Sequence, residues 1–189
     1  MAQPQDLFRP GDALLVVDVQ NDFCPGGALP IDQGNEVVAV LNIWIAAAQQ
    51  QQVPIFLTRD WHPAGHPSFT VNGGPWPVHC LQDTSGAALH DELLTPAVAE
   101  VVTKGTRFDQ DQLSAFDQTG LADKLRRDGI RRLWVGGLAL DVCVLATVLD
   151  GCREGFEVQV PVKSCRPVTA EGGRAALEKM RQAGAVLVE

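Results

Sequence analysis

Short runs of consecutive apolar residues recur along the chain and give the first indication of its fold. They lie at residues 13–17, 53–57, 101–102, 133–135, 158–162 and 185–188. Runs of this length without polar alternation are typical of strands that are buried on both faces of a parallel sheet. We therefore expect strands at these positions.

Segments with a helical spacing of apolar residues separate these runs. Each carries apolar residues on one helical stripe, and they lie at 37–48, 121–125, 142–152 and 176–180. Gly129 and Gly184 follow two of them, as expected at helix ends. The alternation of strand and helix patterns predicts an α/β fold with a parallel sheet.

Size and charge limit the classes of protein to consider. The 189 residues, 46% hydrophobic and 20% charged, predict one globular domain. The formal net charge of -8 argues against a nucleic-acid or anionic-membrane partner, since both need clustered Lys and Arg. Gly136, Gly137 and Asp141 interrupt the most apolar stretch, residues 133–149, so we expect no membrane span.

Cysteine usage and the N-terminal residues predict a cytoplasmic protein. The five cysteines are odd in number, and no CxxC pair indicates a structural zinc site. The first residues lack the apolar segment of a secretory signal. We therefore expect free thiols in the cytosol.

Residues 60–95 interrupt the alternation and are rich in Pro, Gly, His and Trp. A long irregular segment inside a compact domain usually has a functional role. It holds three of the four histidines, His62, His66 and His79, together with Asp60. Three imidazoles and a carboxylate suit a divalent Zn, Fe or Mn ion, although histidines in loops are also often merely exposed.

Four reactive side chains lie where predicted strands end. Asp18, Asp60, Lys104 and Cys143 follow the first, second, third and fourth strands respectively. In open α/β sheets ligands bind outside the carboxyl ends of the strands, so we expect these side chains at one edge. Taken singly, an Asp after a strand usually caps a helix and a Cys is usually a buried hydrophobe.

Cys143 is the preferred nucleophile. Gly136 and Gly137 and the turn after them deliver it to the first turn of a helix, where backbone amides favour a thiolate. Lys104 adds positive charge, and Asp18 can accept the thiol proton as a general base.

These residues lie in motifs that resemble the nicotinamidase/pyrazinamidase branch of the isochorismatase-like cysteine hydrolases. The motifs are VDVQNDFCPGG (17–27), RDWHPAGHPSF (59–69), PWPVHC (75–80), TKG (103–105), SAF (114–116) and GLALDVC (137–143). The similarity spans residues 12–189, and four separate regions match in order. The resemblance implies one hydrolase domain over residues 1–189, with residues 1–11 as an N-terminal tail.

The resemblance also implies a three-layer α/β/α fold with a six-stranded parallel sheet. It implies a cis peptide between Leu138 and Ala139, and an oxyanion hole formed by the amides of Ala139 and Cys143. Phe23 and Trp76 are expected to enclose an aromatic ring, and Leu138 is assigned to the same substrate site.

The activity implied is deamidation of nicotinamide, or of a similar aromatic carboxamide, through a thioester on Cys143. Asp18 and Lys104 complete the catalytic set. The metal ion, zinc by preference, is bound by Asp60, His62, His66 and His79. In members of the family it binds the ring nitrogen of the substrate.

The sequence departs from the family pattern at two positions. Leu140 stands where threonine is frequent, and Leu113 replaces a tyrosine that commonly precedes SAF. Both changes make the site less polar.

Two alternatives stay open. The first is a hydrolase on the same scaffold that acts on an aliphatic carbamoyl or maleamate-like substrate, or that needs no metal. The second is a non-catalytic metal-binding module. A dinucleotide-binding enzyme is disfavoured because the first strand leads to DVQNDF (18–23) and not to GxGxxG. The oligomeric state, a homo-oligomer included, is left open.

Overall fold

The structure, a computed structural model, describes residues 3–189 and contains one parallel β-sheet. Its strands are β1 (Asp12–Val17), β2 (Ile55–Asp60), β3 (Glu100–Lys104), β4 (Arg132–Leu138), β5 (Glu157–Pro161), β6 (Cys165–Arg166) and β7 (Val186–Val188). All six apolar runs predicted as strands contribute to the sheet. The additional strand, β6, is only two residues long.

The strand order is β3-β2-β1-β4-β5-β7, with β6 paired to β4, and every pairing is parallel. β5 pairs with the start of β4 and β6 with its end, because a turn at Val162–Ser164 interrupts the chain between them. The sheet thus contains the six predicted strands and the short β6, which follows the fifth predicted run. The carboxyl ends of β1, β2, β3 and β4 lie at one edge of the sheet.

Helices cover both faces of the sheet and confirm the three-layer architecture. They are α1 (Pro4–Leu7), α2 (Glu36–Gln50), α3 (Leu121–Arg127), α4 (Leu145–Arg153) and α5 (Ala170–Gln182). One core contains α2 together with Leu14 and Val16 of β1; the other contains α3, α4 and α5 together with Leu15 and Val17. Among residues 3–189 no helix combines the length and the apolarity needed to cross a membrane.

Two local expectations differ from the structure. Val101 is 51% exposed because β3 is an edge strand, so this run is not buried on both faces. The stripe predicted over residues 142–152 is shifted, and α4 buries Thr147, Val148 and Gly151. A π-helical turn at Leu140–Val144 precedes α4 and changes the phase of the apolar positions.

The N-terminal segment is also more ordered than a tail. Residues 1 and 2 lie outside the described residues, but α1 forms over Pro4–Leu7. Leu7 and Phe8 pack against the core that contains α2. The ring of Phe8 lies 5.7 Å from Trp44 and 5.9 Å from Trp134, both edge-on.

Gly137 allows β1 and β4 to approach each other at the edge that carries the reactive side chains. Its φ is +133°, and it pairs with Val17 across the two strands. A Cβ atom at this position would lie 2.1 Å from the carbonyl oxygen of Val17. Only glycine fits both the backbone conformation and the space.

We therefore expect Gly137→Ala to lower the free energy of unfolding by about 2–3 kcal/mol, measured by urea denaturation. Gly155→Ala is the matched control, because Gly155 also has positive φ, +88°, but has no atom within 4 Å of the added Cβ. It should lose only about 1 kcal/mol. Equal losses in the two variants would contradict the steric argument.

Candidate active site

A buried lysine joins the reactive side chains at the edge of the sheet. Lys104 ends β3 and is paired in register with Asp60, the last residue of β2. Its Nζ lies 2.7 Å from Asp18 Oδ2 and 2.6 Å from Asp60 Oδ1, and it donates to Cys143 Sγ at 3.6 Å. Four residues from four strand ends therefore form one cluster.

Asp18 follows β1 and is fully buried with a left-handed φ of 48°. Thr58 Oγ1 donates a hydrogen bond to Asp18 Oδ1 at 2.5 Å and accepts one from the Asp18 N–H at 3.1 Å. Burial raises the pKa of the Asp18 carboxyl to about 6, with a further contribution from the nearby Asp60, while Lys104 and Thr58 oppose the shift. This carboxyl is therefore ionised at neutral pH and able to accept a proton.

Cys143 lies in the π-helical turn and is 5% exposed. Its sulfur lies within 4.8 Å of carboxylate oxygens of Asp18 and Asp60. Burial raises the pKa of the thiol well above its usual value, and the nearby Lys104 only partly opposes the shift. Desolvation therefore acts against the thiolate that the start of the helix and Lys104 favour.

The turn before Cys143 has the cis peptide expected between Leu138 and Ala139. The carbonyl oxygen of Ala139 accepts the N–H groups of Val142 at 3.1 Å and Val144 at 3.0 Å, which fixes the turn. Ala139 and Cys143 both line the cavity above the lysine cluster. The oxyanion hole assigned to their amides stays a prediction.

The predicted metal ligands converge beside this cluster. Asp60, His62 and His79 each have a ligand atom within 4.8 Å of the others. The ring centroids of His62 and His66 are 4.2 Å apart, and those of His62 and His79 are 4.8 Å apart. All four side chains lie in the buried part of the loop region that was predicted to be functional.

The three histidines are oriented by hydrogen bonds at Nδ1. The partners are Gly105 O for His62 at 2.8 Å, Ser68 Oγ for His66 at 2.7 Å and Pro77 O for His79 at 2.8 Å. Within residues 3–189, Nε2 of His62 and Nε2 of His66 are buried without a hydrogen-bond partner. Burial lowers the pKa of both imidazoles, so both are neutral at pH 7. Neutral, oriented imidazoles with free nitrogens are what a divalent transition-metal ion requires.

Asp60 belongs to both the lysine cluster and the histidine group. Burial alone would raise the pKa of its carboxyl, but Lys104 and His62 hold it below the usual value. Gln20 fixes the backbone on either side, accepting the Asp60 N–H at 2.8 Å and donating to the Asp60 carbonyl at 2.7 Å. The carboxylate is thus ionised and held in place.

A cavity opens above these groups. It is lined by Phe23, Trp76, Ala139, Cys143, Asp60 and His79, with aliphatic side chains around them. Leu138 is fully buried at the end of β4 and does not line the cavity; it packs in the core on the α2 side. Leu113 does line it, so the replacement of tyrosine noted in the sequence affects the cavity wall.

The structure adds residues that the sequence did not single out. Thr58 holds Asp18, Gln20 holds Asp60, and Ser68 and Gly105 orient the histidines. Asp111, which lies next to the SAF segment, lines the cavity. Thr58 could have been found as the single hydroxyl-bearing residue of β2, directly after its apolar run and two residues before Asp60, hence on the same face.

Comparison with known sequences identifies the family to which this chain is similar. Residues 12–189 match the isochorismatase domain family. The chain is 40% identical to a nicotinamidase of Escherichia coli (strain K12) over 201 residues, covering 94% of each protein. It is 36% identical to a nicotinamidase/pyrazinamidase of Mycobacterium tuberculosis, covering 93% of this chain and 97% of that protein.

Two solved structures of related proteins have the same fold as this chain. A pyrazinamidase of Pyrococcus horikoshii in complex with zinc superposes with a TM-score of 0.92 at 40% identity, covering 95% of this chain and 99% of that one. The protein PnC1 of L. infantum in complex with nicotinate superposes with a TM-score of 0.87 at 36% identity, covering 94% and 92%.

Gly105 offers a test of the histidine geometry. Its φ is +70°, and an added Cβ would lie 2.6 Å from Cε1 and 2.8 Å from Nδ1 of His62. Gly105→Ala should therefore displace the ring and weaken divalent-metal binding about 10- to 100-fold, measured by competition with a chelator.

The matched control is Gly73→Ala, since Gly73 has a similar φ of +86° and no atom within 4 Å of the added Cβ. It should bind metal as the unmodified protein does. Unchanged affinity in Gly105→Ala would show that this contact does not position His62.

Proposed function

The chain belongs to the isochorismatase family, and we propose that it is a metal-dependent amidohydrolase that converts nicotinamide to nicotinate and ammonia. One observation carries the proposal: Lys104 contacts Asp18, Asp60 and Cys143 beside a buried group of three histidines. The Escherichia coli and Mycobacterium tuberculosis relatives are a nicotinamidase and a nicotinamidase/pyrazinamidase, which supports this substrate class.

The residues that line the cavity support an aromatic carboxamide as the substrate. Phe23 and Trp76 both line it and provide ring faces for a flat substrate. Leu113 and Val142 add apolar surface. A pyridine or pyrazine ring would bury apolar area here while its amide group faces Cys143 and Ala139.

In the first half of the reaction, Asp18 takes the thiol proton of Cys143. The sulfur then attacks the carboxamide carbon, and the carbonyl oxygen becomes an oxyanion that the amides of Ala139 and Cys143 stabilise. Lys104 keeps Asp18 and the sulfur together and offsets the negative charge that moves between them. A neutral resting thiol fits this order, because the proton leaves only when substrate is in place.

In the second half, protonated Asp18 gives its proton to the leaving nitrogen, and ammonia departs. A thioester remains on Cys143. Asp18, ionised again, accepts a proton from a water molecule that attacks the thioester carbon. The C–S bond then breaks, Asp18 returns this proton to the sulfur, and the acid product and the free thiol form.

The histidines that lie next to Asp60, on the side away from Lys104, are suited to bind a divalent metal ion. The unpartnered Nε2 atoms of His62 and His66, together with His79 and Asp60, are the groups that would hold it, and zinc suits this nitrogen-rich set. When bound, the ion supplies a Lewis acid for a ring nitrogen of the substrate or for water.

We also propose that the enzyme works in the cytoplasm on a small-molecule substrate, without a nucleic-acid or membrane partner. All five cysteines are free, and the net charge is -8. Both features support this location and these partners.

The decisive experiment measures ammonia release from a panel of amides by the metal-loaded protein. Nicotinamide and pyrazinamide should react, and Cys143→Ala should reduce the rate at least about a thousandfold while its metal content stays normal. Cys152→Ala, which removes a half-buried thiol from α4, should remain active. Release from aliphatic amides alone would instead favour the carbamoyl-type alternative.

The pKa of Asp18 predicts the acid side of the pH profile. Asp18 must be ionised to accept the thiol proton, and its pKa is about 6. Accordingly kcat/KM should be level at neutral pH and fall about tenfold per pH unit below about pH 6. Thr58→Val removes a hydrogen bond that lowers this pKa, so the fall should begin at higher pH.

Metal content measured at each pH separates this effect from loss of the ion. A profile whose acid limb lies in the same place in Thr58→Val and in the unmodified protein would count against Asp18 as the base.

A further inference from the structure

Asp111 lies beside the histidine group but outside all the sequence motifs from which the metal ligands and catalytic residues were predicted. It follows β3 in the loop that leads to α3 and is half-buried. Its carboxylate and the ligand nitrogens of His62 and His66 lie within 4.8 Å of one another. Asp111 also lines the cavity that contains Cys143.

Two triplets of ligand atoms therefore share His62. One contains Asp60 and His79, and the other contains His66 and Asp111. The Nε2 atoms of His62 and His66 are buried and, within residues 3–189, have no hydrogen-bond partner. A carboxylate oxygen within 4.8 Å of a ring nitrogen of each of these two histidines is placed to act as a further ligand of the same ion.

The formal charges around Asp60 do not fully balance a divalent ion, so a second carboxylate at the site would be favourable. Lys104 already contacts Asp60 Oδ1 at 2.6 Å, so the negative charge of Asp60 is shared with an ammonium group. Asp18, Asp60 and Lys104 together carry one formal net negative charge. A divalent ion would thus leave one positive charge in a buried site, which the Asp111 carboxylate neutralises.

The loop holds Asp111 in place and leaves its charge available. Asp111 Oδ1 accepts the N–H of Gln112 at 2.9 Å, and the Gln112 side chain accepts the Thr106 N–H at 3.0 Å. Arg107, the nearest cation in the loop sequence, is paired with Asp109 at 2.5 Å and with Asp117 at 3.3 Å.

We propose that Asp111 is an additional ligand of the metal ion and binds it on the side of His66. This inference rests on the metal site put forward above and extends it. The ion then lies between two carboxylates, of which Asp60 is also tied to the catalytic lysine and Asp111 is not. Asp111 thus helps to bind the metal and takes no part in the proton transfer between Cys143 and Asp18.

The test compares Zn²⁺ affinity, measured by competition with a chelator, in the full chain and in Asp111→Asn. Asparagine keeps the shape and removes the charge, and we expect affinity to fall about 10- to 100-fold. Asp109→Asn is the matched control. It removes the same charge from a position two residues earlier in the loop, where the Asp109 side chain is 68% exposed. Its affinity should stay within about twofold of the unmodified protein.

The Co²⁺-substituted proteins give a second readout that does not depend on activity. Loss of a ligand should change the d–d absorption of Asp111→Asn and leave that of Asp109→Asn as in the unmodified protein. Equal thermal stability of the metal-free proteins excludes misfolding as the cause.

Unchanged affinity and an unchanged spectrum in Asp111→Asn, with binding lost in His62→Ala, would overturn the role of Asp111 and leave the metal site intact. A parallel loss in Asp109→Asn would overturn it too, since the effect would then be one of general charge. If the unmodified protein binds no divalent metal, the metal site itself fails, and this inference fails with it.

Discussion

The ammonium group of Lys104, fully buried, lies 2.7 Å from one carboxylate oxygen of Asp18 and 2.6 Å from one of Asp60. A buried charge is tolerated only when it is paired and hydrogen-bonded. The two carboxylates meet that condition and raise the pKa of Lys104 well above its usual value, although burial acts in the opposite direction. Lys104 favours the ionised form of both carboxylates, and they favour the ionised form of Lys104, whereas Asp60 raises the pKa of Asp18. Removing Lys104 would therefore leave two uncompensated carboxylates in the protein interior.

The parallel sheet brings these three residues together although they are far apart in the sequence. Asp60 and Lys104 are paired in register at the ends of β2 and β3, and Asp18 follows the adjacent β1. Since parallel strands all point the same way, their last residues meet at one edge. The strands and the shared edge could therefore be predicted from apolar runs and the residues that end them, whereas the exposure of the edge strand β3 could not.

Other features of the site depend on distances that no local pattern encodes. Thr58 contacts Asp18, and Gln20 contacts Asp60, each across forty residues of sequence and through the register of two strands. The protonation of Cys143 is a similar case. The sequence shows the helix start and the lysine, which favour a thiolate, but the depth of burial decides the balance and raises the pKa of the thiol. The two-residue strand β6 and the π-helical turn likewise follow from tertiary packing and not from periodicity.

Asp60 links two sets of groups that carry out different tasks. One oxygen contacts Lys104, whereas the other lies 3.8 Å from Nε2 of His62. The charge of this carboxylate is therefore divided between the lysine that organises the proton transfer and the imidazoles that are suited to a metal. Residues that share a partner in this way do not contribute independently. The effect of replacing Lys104 must then depend on the histidine side of the site, and that of replacing His62 on the lysine side, because Asp60 responds to both.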